Sequence, residues 1–172
     1  MNENILNIIR NVHKLFIEKG FTLSVAESCT GGLISHYITM LPGASAFFQA
    51  GVVTYSNTSK IIILGLSSGT IETHGIISDA AARQMAEKAR ALLKTDYALA
   101  TTGNLGPDVL EGKDRGLVYI AVSTPAKTVT KELRLTGDRT SNKEQAALEA
   151  MKLLYEVTKK TGSRAKAQRT QR

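Results

Sequence analysis

A short run of hydroxyl, thiol and glycine residues offers the strongest candidate chemistry in this sequence. Residues 27–32 read Glu-Ser-Cys-Thr-Gly-Gly and lie between an apolar stretch typical of a buried strand and a helical stripe. Helix N-terminal amides favour negative charge, and glycines let a ligand approach the backbone. Ser28 is therefore a candidate nucleophile, with the amides of Thr30 and Gly31 as a candidate oxyanion hole. The alternative is that Ser28 or Thr30 only caps the helix.

A serine nucleophile needs a base, and none of the three histidines, His13, His36 and His74, lies in an obvious site loop. The best candidate is Lys60, five residues after Tyr55, because a partly desolvated lysine can lose its proton near neutral pH. The Tyr55 hydroxyl is a candidate to relay that proton or to orient the nucleophile. The alternative is a surface lysine at the start of a helix and a tyrosine that packs in a strand.

Three further features bear on ligands and on the choice of nucleophile. Cys29 is a rival to Ser28, since a thiol at a helix N-terminus can have a lowered pKa. The glycine-rich stretch 101–107 follows a buried strand and offers amides and hydroxyls, although a plain connection would look the same. Arg139, just before the last helix, carries a planar fork of donors matched to phosphate; an arginine at a helix start is otherwise ordinary.

The elements that must position these residues follow from hydrophobic periodicity. Helices are predicted between Asn4 and Gly20, over 33–41 and 58–64, from the Ser78-Asp79 cap to Leu93, and over 140–158. Strands are predicted over 21–26, 47–55, 96–102, 116–124 and 128–135, with a loop or weak strand over 71–77. The first and third strands are nearly continuous apolar runs, which indicates burial on both sheet faces. We therefore expect a three-layer α/β/α sandwich with a mixed, mostly parallel sheet.

Length and composition predict one folded domain. The chain has 172 residues, 42% of them hydrophobic and 22% charged, which favours folding over disorder. A single cysteine, Cys29, excludes an internal disulfide framework and a multi-cysteine metal cluster; we expect no metal and no redox cofactor. No apolar run reaches the ~18 residues of a membrane span and no signal peptide is evident, so we expect a cytoplasmic protein without a membrane partner.

The net charge of +7 is concentrated at the end of the chain. Without the six basic residues of 159–172, 16 basic and 15 acidic residues remain. We expect a domain over 1–158 followed by a basic, disordered tail over 159–172. Five Tyr, four Phe and no Trp give little sign of a base-stacking platform, so nucleic acid is not an expected partner except through that tail.

Taken in order, these stretches resemble the CinA C-terminal domain family, also called competence/damage-inducible protein C-terminal domains. The resemblance spans residues 5–158 and implies a three-layer α/β/α unit. The matching residues are Ala26-Glu27-Ser28-Cys29-Thr30-Gly31-Gly32, Gly51-Val52-Val53-Thr54-Tyr55-Ser56-Asn57 with Lys60, His74-Gly75 with Ser78, Thr102-Gly103 with Gly106-Pro107, Gly116 with Val118-Tyr119, and Gly137-Asp138-Arg139.

The resemblance implies nicotinamide mononucleotide deamidase activity, which hydrolyses the carboxamide to nicotinic acid mononucleotide and ammonia. In this interpretation Ser28 attacks the carboxamide carbon and Lys60 takes the proton of its hydroxyl. Tyr55 positions the nucleophile or relays that proton. Amides around Thr30 and Gly31 hold the oxyanion. The implied substrate-binding residues are Glu27, Gly32, Asn57, Thr102, Gly103 and Arg139, the last for the 5′-phosphate. Larger family members carry an additional N-terminal domain that the resemblance does not find in this chain, so we expect a stand-alone deamidase. We also expect a homo-oligomer.

One loop departs from the family pattern. Family members usually read Gly-Ile-Ala-Gly-Pro where this chain has Gly103-Asn104-Leu105-Gly106-Pro107. Because that loop is a predicted ligand contact, the change favours an alternative function, a nucleotide-binding regulatory module without turnover. A third alternative is a nucleic-acid accessory protein that acts through its tail.

Overall fold

The computed structural model describes residues 3–169, and side chains up to residue 161. The bounds of the helices and strands are α1 (Glu3–Lys19), β1 (Leu23–Glu27), α2 (Leu33–Thr39), a 3-10 turn (Ala44–Ala46), β2 (Phe48–Val53), α3 (Asn57–Leu64), α4 (Ser68–His74), α5 (Asp79–Leu93), β3 (Tyr97–Gly103), β4 (Leu117–Ser123), β5 (Thr128–Arg134) and α6 (Arg139–Arg169). Helices and strands are interleaved along these residues, with α3, α4 and α5 in succession and then β3, β4 and β5.

The five strands of residues 3–169 form one mixed sheet in the order β2-β1-β3-β4-β5. β1 is parallel to β2 and β3, and β4 is antiparallel to β3 and β5, so four strands run in one direction and only β4 is reversed. The mixed, mostly parallel sheet is thereby confirmed. Glu27 at the end of β1 is in register with Val53 of β2 and Thr101 of β3, which brings three strand ends to one edge of the sheet.

β2 lies at one edge of the sheet, and its register against β1 contains an irregularity. Leu23 pairs with Phe48 and Ser24 with Ala50, so that Gln49 is passed over. Such a bulge lets one strand carry an extra residue opposite its neighbour. Every later residue of β2 is therefore displaced by one position relative to β1.

The two faces of the sheet pack against different layers of helix, which confirms the three-layer sandwich. Larger residues of one face pack with α1, α2 and α6 into the main core. The other face is lined by alanines that meet small residues of α5, so sheet and helix approach closely. These alanines are Ala26, Ala98, Ala100 and Ala121 on the strands and Ala82, Ala86 and Ala89 on α5.

Residues 71–77 do not form the predicted loop or weak strand, because most of them belong to α4. Gln84 of α5 accepts a hydrogen bond from the Ser67 N–H at 3.1 Å and donates to Thr70 Oγ1 at 2.7 Å. Ile71 packs against the alanine-rich core. These tertiary contacts stabilise a short helix that local sequence does not indicate.

The last helix also differs from its prediction, since it begins at Arg139 and extends past Thr158 to Arg169. Residues 170–172 of the predicted tail lie outside the described residues, and the disordered state of 159–172 and the domain boundary at 158 stay predictions. Over the described part of the chain, no helix has the length and apolar character needed to span a bilayer.

Candidate active site

The turn from β1 into α2 is organised by a buried carboxylate. Glu27 is fully buried, and its Oε2 accepts hydrogen bonds from Thr30 Oγ1 at 2.7 Å, from the Gly32 N–H at 3.0 Å and from the Ile34 N–H at 3.1 Å. Its Oε1 accepts from the N–H and the hydroxyl of Ser35 at 2.9 and 2.7 Å. A carboxylate of the protein therefore occupies the helix N-terminus that an external anion would otherwise bind.

This arrangement corrects two of the predicted roles in the turn. Glu27 does not bind substrate, because it is sealed from solvent; it is a positioning residue for the segment that carries Ser28. Gly31 does not offer its amide to an oxyanion, because that N–H donates to the Ser28 carbonyl at 3.1 Å. Within the described residues, the N–H groups of Cys29 and Thr30 donate to no protein oxygen, so these two amides are the candidate oxyanion donors.

Replacing Glu27 with glutamine is expected to lower the free energy of unfolding by about 2–3 kcal/mol, because one acceptor oxygen becomes an NH₂ group that faces donors. Urea denaturation at neutral pH measures the change. The matched control is Glu72→Gln at an exposed position of α4, which should leave stability unchanged. Equal stability of Glu27→Gln and the unsubstituted protein would contradict the positioning role.

Ser28 and Lys60 form a close pair at the carboxyl ends of the parallel strands. Lys60 Nζ lies 2.9 Å from Ser28 Oγ and 2.8 Å from the Thr54 carbonyl oxygen, and Lys60 is fully buried while Ser28 is 7% exposed. A capping box between Ser56 and Ser59 starts α3 directly after β2. The cap therefore fixes Lys60 in the first turn of α3, with its side chain directed to the end of β1.

The electrostatics of this pair suit a nucleophile and its base. Burial lowers the pKa of Lys60 to about 8, against weaker opposing effects of Cys29 and Glu111. A neutral amine can donate to the Thr54 carbonyl and accept the Ser28 proton at the same time. The structure thus brings together the predicted Ser28 and Lys60 in a geometry that permits proton transfer.

The rival nucleophile Cys29 has the opposite electrostatic character. It is 7% exposed, and burial raises its pKa to about 12, although hydrogen bonding to Thr101 acts in the other direction. A thiol with a raised pKa stays protonated and is a poor nucleophile. The lowered pKa that made Cys29 a candidate is therefore not present.

Tyr55 and Arg139 contact each other rather than the Ser28–Lys60 pair. Arg139 Nη2 donates to the Tyr55 hydroxyl at 2.7 Å, and Arg139 Nη1 donates to the Gly106 carbonyl. Tyr55 is 59% exposed and makes no hydrogen bond to Ser28 or Lys60 within the described structure. The proton-relay role predicted for Tyr55 therefore has no supporting contact in this structure and stays a prediction, while its hydroxyl accepts from Arg139.

A small cleft of about 70 Å³ opens beside Ser28, enough for a functional group rather than a whole nucleotide. It brings together the predicted Ser28, Tyr55, Thr102, Gly103 and Arg139. Its full lining is Ser28, Cys29, Tyr55, Ile76, Ile77, Thr102, Gly103, Asn104, Leu105, Leu110 and Arg139.

The other predicted contacts differ in their positions. Thr102 is buried and donates to the Ile76 carbonyl at 2.6 Å, so its hydroxyl fixes the cleft wall. Asn57 is exposed as the first residue of α3 and does not line the cleft. Gly32, whose φ is 91°, likewise does not line the cleft, and its N–H donates to Glu27.

Asn104, the departure from the family pattern, organises its own loop. It is 2% exposed, its Nδ2 donates to the Asp108 carbonyl at 2.8 Å, and its Oδ1 accepts from the Gly106 N–H at 3.0 Å. Leu105 beside it is buried in the main core. An asparagine followed by a glycine two residues on is a turn signal, and this signal predicts the loop role better than a ligand role.

Glu111 supports the wall of the cleft, and the sequence motifs do not predict this role. Its carboxylate oxygens accept from the N–H groups of Ile76 and Ile77 at 3.2 and 3.3 Å, which ties the loop after β3 to the segment before α5. No motif marks this residue, because its partners lie 34 and 35 positions earlier in the chain.

Fold and site together define a three-layer α/β domain with a buried Ser–Lys pair at the carboxyl edge of its parallel strands. The family model of the CinA C-terminal domain matches residues 6–158, and the chain belongs to this family. The resemblance noted in the sequence is thereby confirmed.

Curated relatives match over most of this chain. A putative competence-damage inducible protein of Caldanaerobacter subterraneus is 46% identical over 144 residues, which are 83% of this chain and 35% of that protein. A CinA-like protein of Shewanella denitrificans is 45% identical over 130 residues, which are 75% of this chain and 31% of that protein. The chain thus spans about a third of the length of the curated relatives it matches.

Solved structures of similar proteins share the fold. Competence damage-inducible protein A of Klebsiella pneumoniae has a TM-score of 0.87 at 31% identity, over 90% of this chain and 96% of that chain. Competence/damage inducible protein CihA of Agrobacterium tumefaciens has a TM-score of 0.86 at 33% identity, over 90% and 95%.

Proposed function

We propose that this domain is an amidohydrolase that converts nicotinamide mononucleotide to nicotinic acid mononucleotide and ammonia. The observation that carries the proposal is the 2.9 Å contact between Ser28 Oγ and the buried Nζ of Lys60. A hydroxyl beside an amine of lowered pKa is an arrangement used for acyl transfer. The motif resemblance to the CinA family supports nicotinamide mononucleotide as the proposed substrate.

The proposed reaction proceeds through an ester on Ser28. The hydroxyl oxygen attacks the carboxamide carbon while Lys60 accepts the proton, and the amides of Cys29 and Thr30 hold the oxyanion. Lys60 then gives the proton to the leaving nitrogen, and ammonia departs. Water, deprotonated by the same amine, cleaves the ester, and Lys60 returns that proton to the Ser28 oxygen as the carboxylic acid leaves. These steps use no metal and no redox cofactor.

Incubation of the protein with nicotinamide mononucleotide, followed by measurement of ammonia, tests the proposal. We expect ammonia and nicotinic acid mononucleotide in equal amounts. Binding without ammonia release would overturn the proposal and support the alternative, a nucleotide-binding regulatory module. The structural role of Asn104 within its loop weakens the reason for that alternative, because the departure supports the cleft wall.

The pH dependence of the reaction should reveal the base. Because only neutral Lys60 accepts a proton and its pKa is about 8, kcat/KM should rise about tenfold per pH unit below that value and level off above it. Measurement of kcat/KM between about pH 6 and about pH 9.5 tests for this rise. A flat profile over that range would contradict lysine as the base.

Three expectations from the sequence stay predictions. These are the homo-oligomeric state, the cytoplasmic location and the possibility of nucleic-acid contact through the basic end of the chain.

A further inference from the structure

We propose that Lys143, together with Arg139, binds the phosphate of the substrate and makes the site selective for nucleotides over nucleosides. This inference rests on the proposed function and assigns a binding residue that neither the motifs nor the cleft lining indicate. It places the anion-binding groups on α6 rather than on the turn after β1.

Helix geometry puts the two cations on the same side of α6. Arg139 and Lys143 are four residues apart, and residues with this spacing are neighbours on a helix surface. Arg139 lines the cleft. Lys143 Nζ lies 3.4 Å from the position that a Cβ on Gly31 would occupy. The two side chains therefore flank the turn that carries Ser28.

Neither cation is paired with an acid within the described residues. Among the ion pairs of the described residues, none includes Arg139 or Lys143, whereas Lys131 and Lys152 both pair with Glu149 at 2.8 Å. The acceptors of Arg139, the Tyr55 hydroxyl and the Gly106 carbonyl, are uncharged. Two unneutralised cations beside one cleft raise the local concentration of anionic ligands.

Two other anion-binding positions near the cleft are already filled, and the amides of Cys29 and Thr30 are assigned to the oxyanion in the proposed reaction. Glu27 occupies the N-terminus of α2 with both carboxylate oxygens. At the start of α6, Asp138 Oδ1 accepts from the Ser141 N–H at 2.7 Å. A phosphate that enters this site is therefore left with side-chain cations as its partners, and a guanidinium fork with an ammonium suits a dianion.

The test compares substrates with and without the phosphate. Lys143→Met should lower kcat/KM for nicotinamide mononucleotide about tenfold or more, and should leave kcat/KM for nicotinamide riboside unchanged. Lys143→Arg should restore most of the loss. The matched control is Lys88→Met at an exposed position of α5, on the opposite face of the sheet. This variant should leave kcat/KM unchanged for both substrates.

A binding measurement separates this inference from the proposed function. Ribose 5-phosphate, titrated calorimetrically, should bind the unsubstituted protein and Lys88→Met equally and Lys143→Met more weakly by the same factor. Equal losses on both substrates, or ribose 5-phosphate binding that does not change in Lys143→Met, would overturn the role of Lys143. If the unsubstituted protein releases no ammonia, the deamidase proposal is wrong. The titration of ribose 5-phosphate would still show whether Lys143 binds a phosphate.

Discussion

Replacement of Ser28 by alanine is expected to reduce ammonia release from nicotinamide mononucleotide by about 10⁴-fold or more, because loss of a nucleophile removes the covalent route. The fold should survive. Ser28 Oγ accepts only the hydrogen bond from Lys60 within the described structure, so the substitution removes one contact at a site that is already next to the cleft. The measurement is kcat/KM, with Tm and circular dichroism as checks on folding.

The matched control for this variant is Cys29→Ala. Cys29 is buried and its thiol has a raised pKa, so its loss should change kcat/KM by less than about tenfold, through packing alone. Inactivation by Cys29→Ala with near-normal turnover by Ser28→Ala would reverse the assignment of the nucleophile. Near-normal turnover by both variants would remove the covalent mechanism altogether.

Replacement of Lys60 by methionine is expected to lower kcat by about 10³-fold, within the range that general-base catalysis supplies. Methionine has a similar length and no charge, so it fills the same buried volume without the cost of burying an ammonium. Its Tm should therefore stay within a few degrees of that of the unsubstituted protein, and the remaining activity should lose the rise toward pH of about 8.

Lys60→Arg gives the complementary result, because it keeps a positive charge that cannot be released near neutral pH. We expect it to be as inactive as Lys60→Met. If arginine supported turnover while methionine did not, the group at position 60 would act as a fixed charge and not as a base. Stopped assays of ammonia at several pH values distinguish these outcomes.

The sequence was sufficient to predict the class of fold and the proximity of Ser28 and Lys60. Continuous apolar strands and interleaved helical stripes predict a layered sheet because burial on both faces leaves that pattern in the residues themselves. Ser28 and Lys60 are predictable because each follows a strand, and strand ends of a parallel sheet meet at one edge. The 2.9 Å contact between them is a direct consequence of that topology.

The remaining roles depend on contacts between distant segments that no local pattern records. The sequence predicts that Glu27 binds substrate, yet its carboxylate accepts hydrogen bonds from backbone N–H groups at the start of α2. Tyr55 and Arg139 are 84 residues apart, so their hydrogen bond is visible only in the folded chain. Lys143 carries no motif, and only its position beside Gly31 indicates a ligand role.

The bulge at Gln49 has a consequence for where the reacting atoms meet. A strand rises about 3.3 Å per residue, so a β2 strand that slipped by one position would carry Lys60 beyond reach of the Ser28 oxygen, 2.9 Å away. β2 has a neighbour on one side only, and strands of this kind open at a smaller free energy than the interior of a sheet. Brief detachment of β2 would therefore separate Lys60 from Ser28 while the core around β1 and β3 stayed packed, so this contact depends on the docking of an edge strand.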